Sequence, residues 1–225
     1  NEVMLFCINV ESKTHGELLR NDNIRLAMMY ALDRDGINKL VCDGYGTPTY
    51  MYINPNYAAA APASDSLKNP IPYNLQKAKE LLAQEGYPNG IDIGEFNVAA
   101  GRNENFGVAV QAQLEAAGIK STLVVSDYNV AGDRNVAQEY DICIAYDFNN
   151  FEQQSSSAAI GLTNVLFNGP SGKFNDLSAK FDEWLKEGSS TADEAKRLEI
   201  YTEMYNAYYD THTQVPLINL PSCVA

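Results

Sequence analysis

Residues 91–146 read IDIGEFNVAAGRNENFGVAVQAQLEAAGIKSTLVVSDYNVAGDRNVAQEYDICIAY, and this stretch decides the fold class. IDIGEFNVA alternates apolar and polar residues at period 2, as a half-buried strand does. Phe106, Val110, Leu114 and Ala117 then recur at helical spacing, with Gly118 as the stop, and IKSTLVVS is a second strand. A polar helix over Tyr128 to Glu139 leads to a third strand, YDICIAY, whose two faces are both largely apolar, as in a strand covered on each side. The unit is βαβαβ. Right-handed crossovers make such strands parallel, so their carboxyl ends meet along one edge, where α/β sheets generally bind ligands.

The three strand ends deliver Ala100 to Asn103, Ser126 to Tyr128 and Tyr146 to Asn150 to that edge. The last of these continues as YDFNNFEQQ, which has no Gly or Pro to set a turn and places aromatic rings among amides and a carboxylate. Flat aromatic faces with a few hydrogen-bonding groups are the mixture small-molecule sites use for burial and orientation. The candidate ligand-binding residues are therefore Arg102, Tyr128, Tyr146, Asp147, Phe148, Asn149 and Asn150. The plainer alternative is that these loops only cap the sheet. GRNENFG lacks the glycine spacing and Lys-Ser/Thr pair of a phosphate loop, so no nucleotide is indicated.

On the amino-terminal side, VMLFCINV reads as a strand, and Ile24, Ala27, Met28, Ala31 and Leu32 form an amphipathic stripe capped by Asn21, Asp22 or Asn23. Asp33 caps a short helix through Val41, and residues 42–72, rich in Gly and Pro, read as a long surface loop. Asn74 caps a helix bearing Leu75, Ala78, Leu81 and Leu82, ended by Gly86. On the carboxyl-terminal side, Asn175 caps a helix carrying Leu177, Phe181, Trp184 and Leu185, stopped by Gly188. Thr191 and Glu194 form a capping box for the last helix, with Leu198, Tyr201, Tyr205 and Tyr208 as its core stripe, before a terminal strand-like run, VPLINLPSCVA.

The net charge of −13, with few and scattered basic residues, argues against nucleic acid as a partner. No apolar run approaches the roughly 20 residues of a membrane helix. Cys7, Cys42, Cys143 and Cys223 show no CxxC and no nearby His, so neither a metal site nor another cofactor is expected. Each sits singly in an apolar stretch, as buried free thiols do; Cys7 and Cys223, both near a chain end, would be the first candidates for a disulfide. His15 and His212 have no nucleophile motif around them.

The segments IRLAMMYALDRDGINKLV, GTP at Gly46 to Pro48, YNLQKAKELLAQEGYPNG, YDICIAY and PLINLP together resemble the family 5 extracellular solute-binding proteins of ABC transporters, which include dipeptide, oligopeptide and nickel receptors. The resemblance covers nearly the whole chain. It implies that residues 1–225 are one periplasmic-binding-protein-like lobe, the second of two, with a βαβαβ core sheet flanked by helices and the amino-terminal lobe absent. It further implies capture of a peptide or similar small solute between lobes, delivery to ABC permease subunits, an extracytoplasmic setting, and any membrane attachment through a lipid anchor outside this stretch. In the family a Trp follows the third strand, and an Asp three residues on pairs with the ligand's ammonium group. Those positions fall on Asp147 and Asn150 here, and an amide can accept a hydrogen bond from an ammonium group without neutralising it. Tyr128 meets a family aromatic contact. Two other readings stay open: a ligand-sensing lobe of a signalling protein, and a carbohydrate-active enzyme using two of the many carboxylates.

Overall fold

The computed structural model describes residues 2–50, 70–148 and 171–220. In chain order the elements are β1 (Glu2–Ile8), α1 (Gly16–Leu19), α2 (Asp22–Ala31), α3 (Arg34–Val41), β2 (Thr47–Pro48), α4 (Leu75–Gln84) and β3 (Ile91–Ala99). They continue with α5 (Arg102–Ala117), β4 (Ile119–Ser126), α6 (Tyr128–Val136), β5 (Ile142–Phe148), α7 (Asn175–Ser190), α8 (Glu194–Tyr209) and β6 (Gln214–Leu220).

β3 pairs in parallel with β4 on one side and β5 on the other, so the βαβαβ unit forms as the periodicity predicts. Phe96 and Val98 point to one face of β3 and Asn97 to the other. Gly107 of α5 lies against Val98 and Leu123, whereas the Asn97 amide donates to the Ala131 carbonyl and Asn135 Oδ1 of α6. The two crossover helices therefore cover opposite faces, as right-handed connections require when the chain reverses its direction across the sheet. Phe106, Val110 and Leu114 are fully buried beneath α5.

The terminal runs, which the sequence left without partners, extend this unit into a mixed six-stranded sheet of order β2-β6-β1-β5-β3-β4. β1 lies at its centre, antiparallel to β5 and β6, with Val3 to Ile8 all buried. This placement shifts the third strand. It starts at Ile142 rather than Tyr140, because the Tyr140 carbonyl accepts from the Asn9 amide and the Asp141 carbonyl from the Asn9 N–H. It also runs on to Phe148, since Glu2 and Val3 of β1 stay in register with Phe148 and Asp147. The loop read over 42–72 likewise contains β2, whose Thr47 and Pro48 face Asn219 and Ile218. Proline is tolerated there because β2 is an edge strand. Positions 51–69 lie outside the described residues, as does Cys223 of the candidate pair; Cys7 is a free thiol.

Helix boundaries near the carboxyl terminus also differ from expectation. Asn21, Asp33 and Asn74 cap α2, α3 and α4 through their side chains, but Asn175 is the first residue of α7 rather than its cap. Gly188 does not end α7, which continues to Ser190. Its missing side chain instead admits the Tyr201 ring of α8: a Cβ at 188 would stand 2.5 Å from Tyr201 Cε1. Gly188→Ala is expected to destabilise the protein by about 1–2 kcal/mol in urea denaturation, because overpacking against the buried ring outweighs the roughly 1 kcal/mol that alanine gains in helix propensity. An increase in stability would show that Tyr201 is free to move. α8 is capped by Asp193, not by Thr191, with Asp193 Oδ1 accepting from the N–H groups of Ala195 (2.9 Å) and Lys196 (3.2 Å). Asp193→Ala should cost about 1 kcal/mol in the same measurement, and Thr191→Ala much less.

Candidate functional site

The carboxyl ends of β3, β4 and β5 share one rim. Ala99 is level with Ser126 across the β3–β4 ladder, and Phe148 with Glu2 across the β5–β1 ladder. β6 ends on the same rim, where Leu220 pairs with Glu2, and Thr47 pairs with Asn219 beside it. The strand ends from which all seven candidate residues were drawn thus converge as expected, with one adjustment: Tyr146, Asp147 and Phe148 belong to β5 itself.

Arg102 opens α5 and is engaged: its Nη2 stands 2.7 Å from Glu2 Oε2, joining the start of α5 to the start of β1. It is half-exposed, so the rim keeps part of a cationic surface beside a carboxylate. The Cys42 thiol lies within its field; burial pushes that thiol's pKa up, and the Arg102 charge partly offsets the rise. Tyr128 opens α6 immediately after the Asp127 cap and is 58% exposed. Its position follows from the Asp127 carboxylate accepting the Asn129 N–H, which fixes where the helix begins. Tyr146, Asp147 and Phe148 are described by their backbone, and Asn149 and Asn150 lie outside the described residues.

One exposed aromatic at this rim was missed by the sequence reading. Tyr45, 82% exposed, precedes β2 and is held by its N–H to the Cys42 carbonyl (2.8 Å). The signal was the YGTP run. Gly46 packs so tightly against Ile218 and Asn38 that a side chain there would collide.

The opposite edge of the sheet carries a cavity of about 460 Å³ lined by Ser12, His15, Gly94, Glu95, Arg134 and Asp141, among others. The buried Asp141 carboxylate accepts from the Ser12 and Thr14 hydroxyls and the Glu95 N–H (2.7 Å), and His15 Nδ1 stands 3.2 Å away. Arg134 pairs with Glu95. A nucleophilic triad needs the imidazole between hydroxyl and carboxylate. Here the carboxylate lies between them, and Ser12 Oγ accepts from the N–H groups of Thr14 and His15. This arrangement clamps a turn.

Comparison with known proteins agrees with this architecture. The glutathione-binding protein GsiB of Escherichia coli (strain K12) is 27% identical over 213 residues, 88% of this chain and 39% of that protein. The chain thus spans well under half the length of the relatives it matches. Among solved structures, the periplasmic binding protein DppA from Helicobacter pylori in complex with peptide STSA superposes with a TM-score of 0.73 at 25% identity, over 96% of this chain and 41% of that one. NikA from Brucella suis in complex with Fe(III)-EDTA gives 0.77 at 16% identity over 97% and 45%, a likeness of fold. The sequence profile of the bacterial extracellular solute-binding proteins, family 5 (middle region), matches residues 1–165. With a profile match over most of its 225 residues and a sheet that superposes on such receptors, the chain belongs to the family 5 bacterial extracellular solute-binding proteins.

Proposed function

We propose that residues 1–225 form the second lobe of a two-lobed receptor, and that the rim where β3, β4 and β5 end is one wall of its ligand cleft. The observation that carries this reading is the convergence on a single rim of three parallel strand ends, two exposed tyrosines and the Arg102–Glu2 pair. Aromatic faces bury a ligand's apolar surface, and the charged pair orients its polar groups. Hinge closure of lobes around a ligand is an established way for such receptors to work.

The ligand class is a peptide or similar small solute. That choice is supported by the glutathione-binding and peptide-bound relatives and by a net charge that repels polyanions. The receptor hands its ligand to ABC permease subunits outside the cytoplasm, with membrane attachment supplied by a lipid anchor beyond this stretch. It performs no chemistry on the ligand, consistent with a carboxylate-centred clamp where a hydrolytic triad would need a central imidazole.

A thermal-shift series on the full-length protein tests the reading with glutathione, di- and tripeptides, sugars, amines and nickel chelates. A rise in Tm with the peptides is expected. Stabilisation by sugars alone, or hydrolysis of any ligand in the series, would overturn it. Tyr128→Ala in the full-length protein should weaken the best ligand by more than about 1 kcal/mol, roughly fivefold or more, as loss of an aromatic anchor does. Val136→Ser, at the far end of α6 and also exposed, should leave affinity unchanged.

A further inference from the structure

The β1–β5 ladder places Cys7 directly opposite Cys143. Asn9 N–H donates to the Asp141 carbonyl (2.8 Å) two residues further along, so the alternation of an antiparallel ladder makes Cys7/Cys143 a hydrogen-bonded pair. Its Cα atoms stand about 5.5 Å apart, inside the 4.4–6.8 Å that a disulfide spans, while the Cβ atoms of such a pair lie at the wide end of about 4.5–5.5 Å, so a bond between them draws the strands together and is strained and readily reduced. The two thiols lie on the same face of the ladder, close enough that Cys143 is the foremost influence on the Cys7 pKa, and they are only 3% and 2% exposed. Both are free in this structure.

We propose that Cys7 and Cys143 are a cross-strand redox pair, which closes to a disulfide joining β1 to β5 when the protein folds in the presence of a small-molecule or protein disulfide oxidant. In that exchange the two thiols lose two protons and two electrons, a new Sγ–Sγ bond forms, and the oxidant's disulfide is reduced to two thiols. The inference is independent of the ligand reading; it rests on register and thiol proximity.

The same geometry sets when the bond forms. The neighbouring Cys143 thiol, then burial, push the Cys7 thiol pKa well up, and thiolate is the reacting species. In the closed sheet the dithiol is therefore slow to oxidise, and the exchange takes place as the chain folds. Once made, the bond closes a loop that contains α1–α6 and β2–β4, the long-loop case in which a cross-link constrains the unfolded chain most. It also ties the strand that carries Tyr146, Asp147 and Phe148 to the central strand of the sheet.

The test uses the full-length protein, unfolded and reduced, then refolded in a mixture of reduced and oxidised glutathione. Remaining thiols are alkylated in denaturant and the unreduced digest is mapped by mass spectrometry. A cross-linked peptide joining Cys7 and Cys143 is expected, with Tm falling by a few degrees on reduction, since strain in the bond offsets part of what closing so long a loop gains. That fall should vanish in Cys143→Ser. Recovery of both cysteines only in alkylated form, or linkage of Cys7 to Cys42 or Cys223, would overturn the proposal. The mapping needs only the unaltered protein, so a variant that fails to fold leaves the result decisive.

Discussion

Replacing Asp141 with alanine is expected to destabilise the folded protein by about 3–5 kcal/mol, measured by urea denaturation, without touching the rim where the ligand is proposed to bind. The carboxylate is buried and gathers donors from three directions: the Ser12 and Thr14 hydroxyls from the turn after β1, the Glu95 N–H from β3, and His15. Removing it takes the acceptor from the buried Ser12 hydroxyl and from the Glu95 N–H, at about 1–3 kcal/mol for each group left unsatisfied, whereas Thr14 and His15, which line the adjoining cavity, can turn to solvent. Asp141→Asn should cost less. Its carbonyl can still accept from Glu95 and its NH2 can donate to the Thr14 hydroxyl, but Ser12 Oγ, already accepting two N–H groups, has no lone pair left to take the other proton. Gly94 belongs to the same clamp. Its φ of +86° suits glycine, and a Cβ there would run into Asp141 Oδ2 and the His15 ring. Gly94→Ala should therefore be severe alone and less than additive with Asp141→Ala, since the second change removes part of the collision. Strict additivity would show that the two residues do not share the cost.

The clamp also shows what the sequence makes legible. The βαβαβ unit was readable because local periodicity and capping residues agreed with the final packing through β3, α5 and β4. Val98 and Phe96 alternate with Asn97, and Gly118 stops α5 in the left-handed conformation. The reading slipped mostly where the deciding partner is distant in sequence, and once, at the α8 cap, between two neighbouring candidates. β5 begins late because Asn9 takes its first carbonyls, and it ends late because β1 keeps it in the ladder. Gly188 looked like a stop until Tyr201 filled its place, and Thr191 looked like a cap until Asp193 offered a carboxylate two residues nearer the helix.

The candidate site was legible to the same degree and for the same reason. Parallel strands fix which loops meet, so Arg102 and Tyr128 could be placed on a common rim from the strand pattern alone. That Arg102 is paired with Glu2 could not be, because the contact depends on β1 lying next to β5. The cysteines were read as free thiols, and Cys7 and Cys143 are free and buried; the pairing named first lies partly outside the described residues. Proximity to chain ends suggested Cys7 with Cys223, but strand register, which sequence spacing does not encode, sets Cys7 opposite Cys143.

Arg25→Ala is expected to cost a further large amount, about 3–5 kcal/mol, at the junction that holds β6 in the sheet. The guanidinium is 2% exposed. It donates to the Thr211 carbonyl (2.9 Å), the Leu19 carbonyl (2.8 Å) and Asp22 Oδ1 (2.8 Å), and it lies over the Phe174 ring before α7. Alanine leaves the buried Leu19 and Thr211 carbonyls without their donor and a void where the side chain lay, while Asp22, half-exposed, keeps His212. Lysine keeps the charge but has no planar fork, so Arg25→Lys should recover only part of the loss. The same junction predicts acid sensitivity. Burial pushes the Asp22 carboxyl up, but the hydrogen bond and charge of His212 and the Arg25 guanidinium outweigh it, leaving the pKa below its ordinary value. A carboxyl depressed on folding lends stability that is full above its unfolded pKa and is lost as pH falls through the folded one, so the loss belongs below about pH 4. Asp22→Asn should flatten the acid limb of a Tm-against-pH profile while leaving its neutral shape intact, and an unchanged acid limb would place the sensitivity elsewhere.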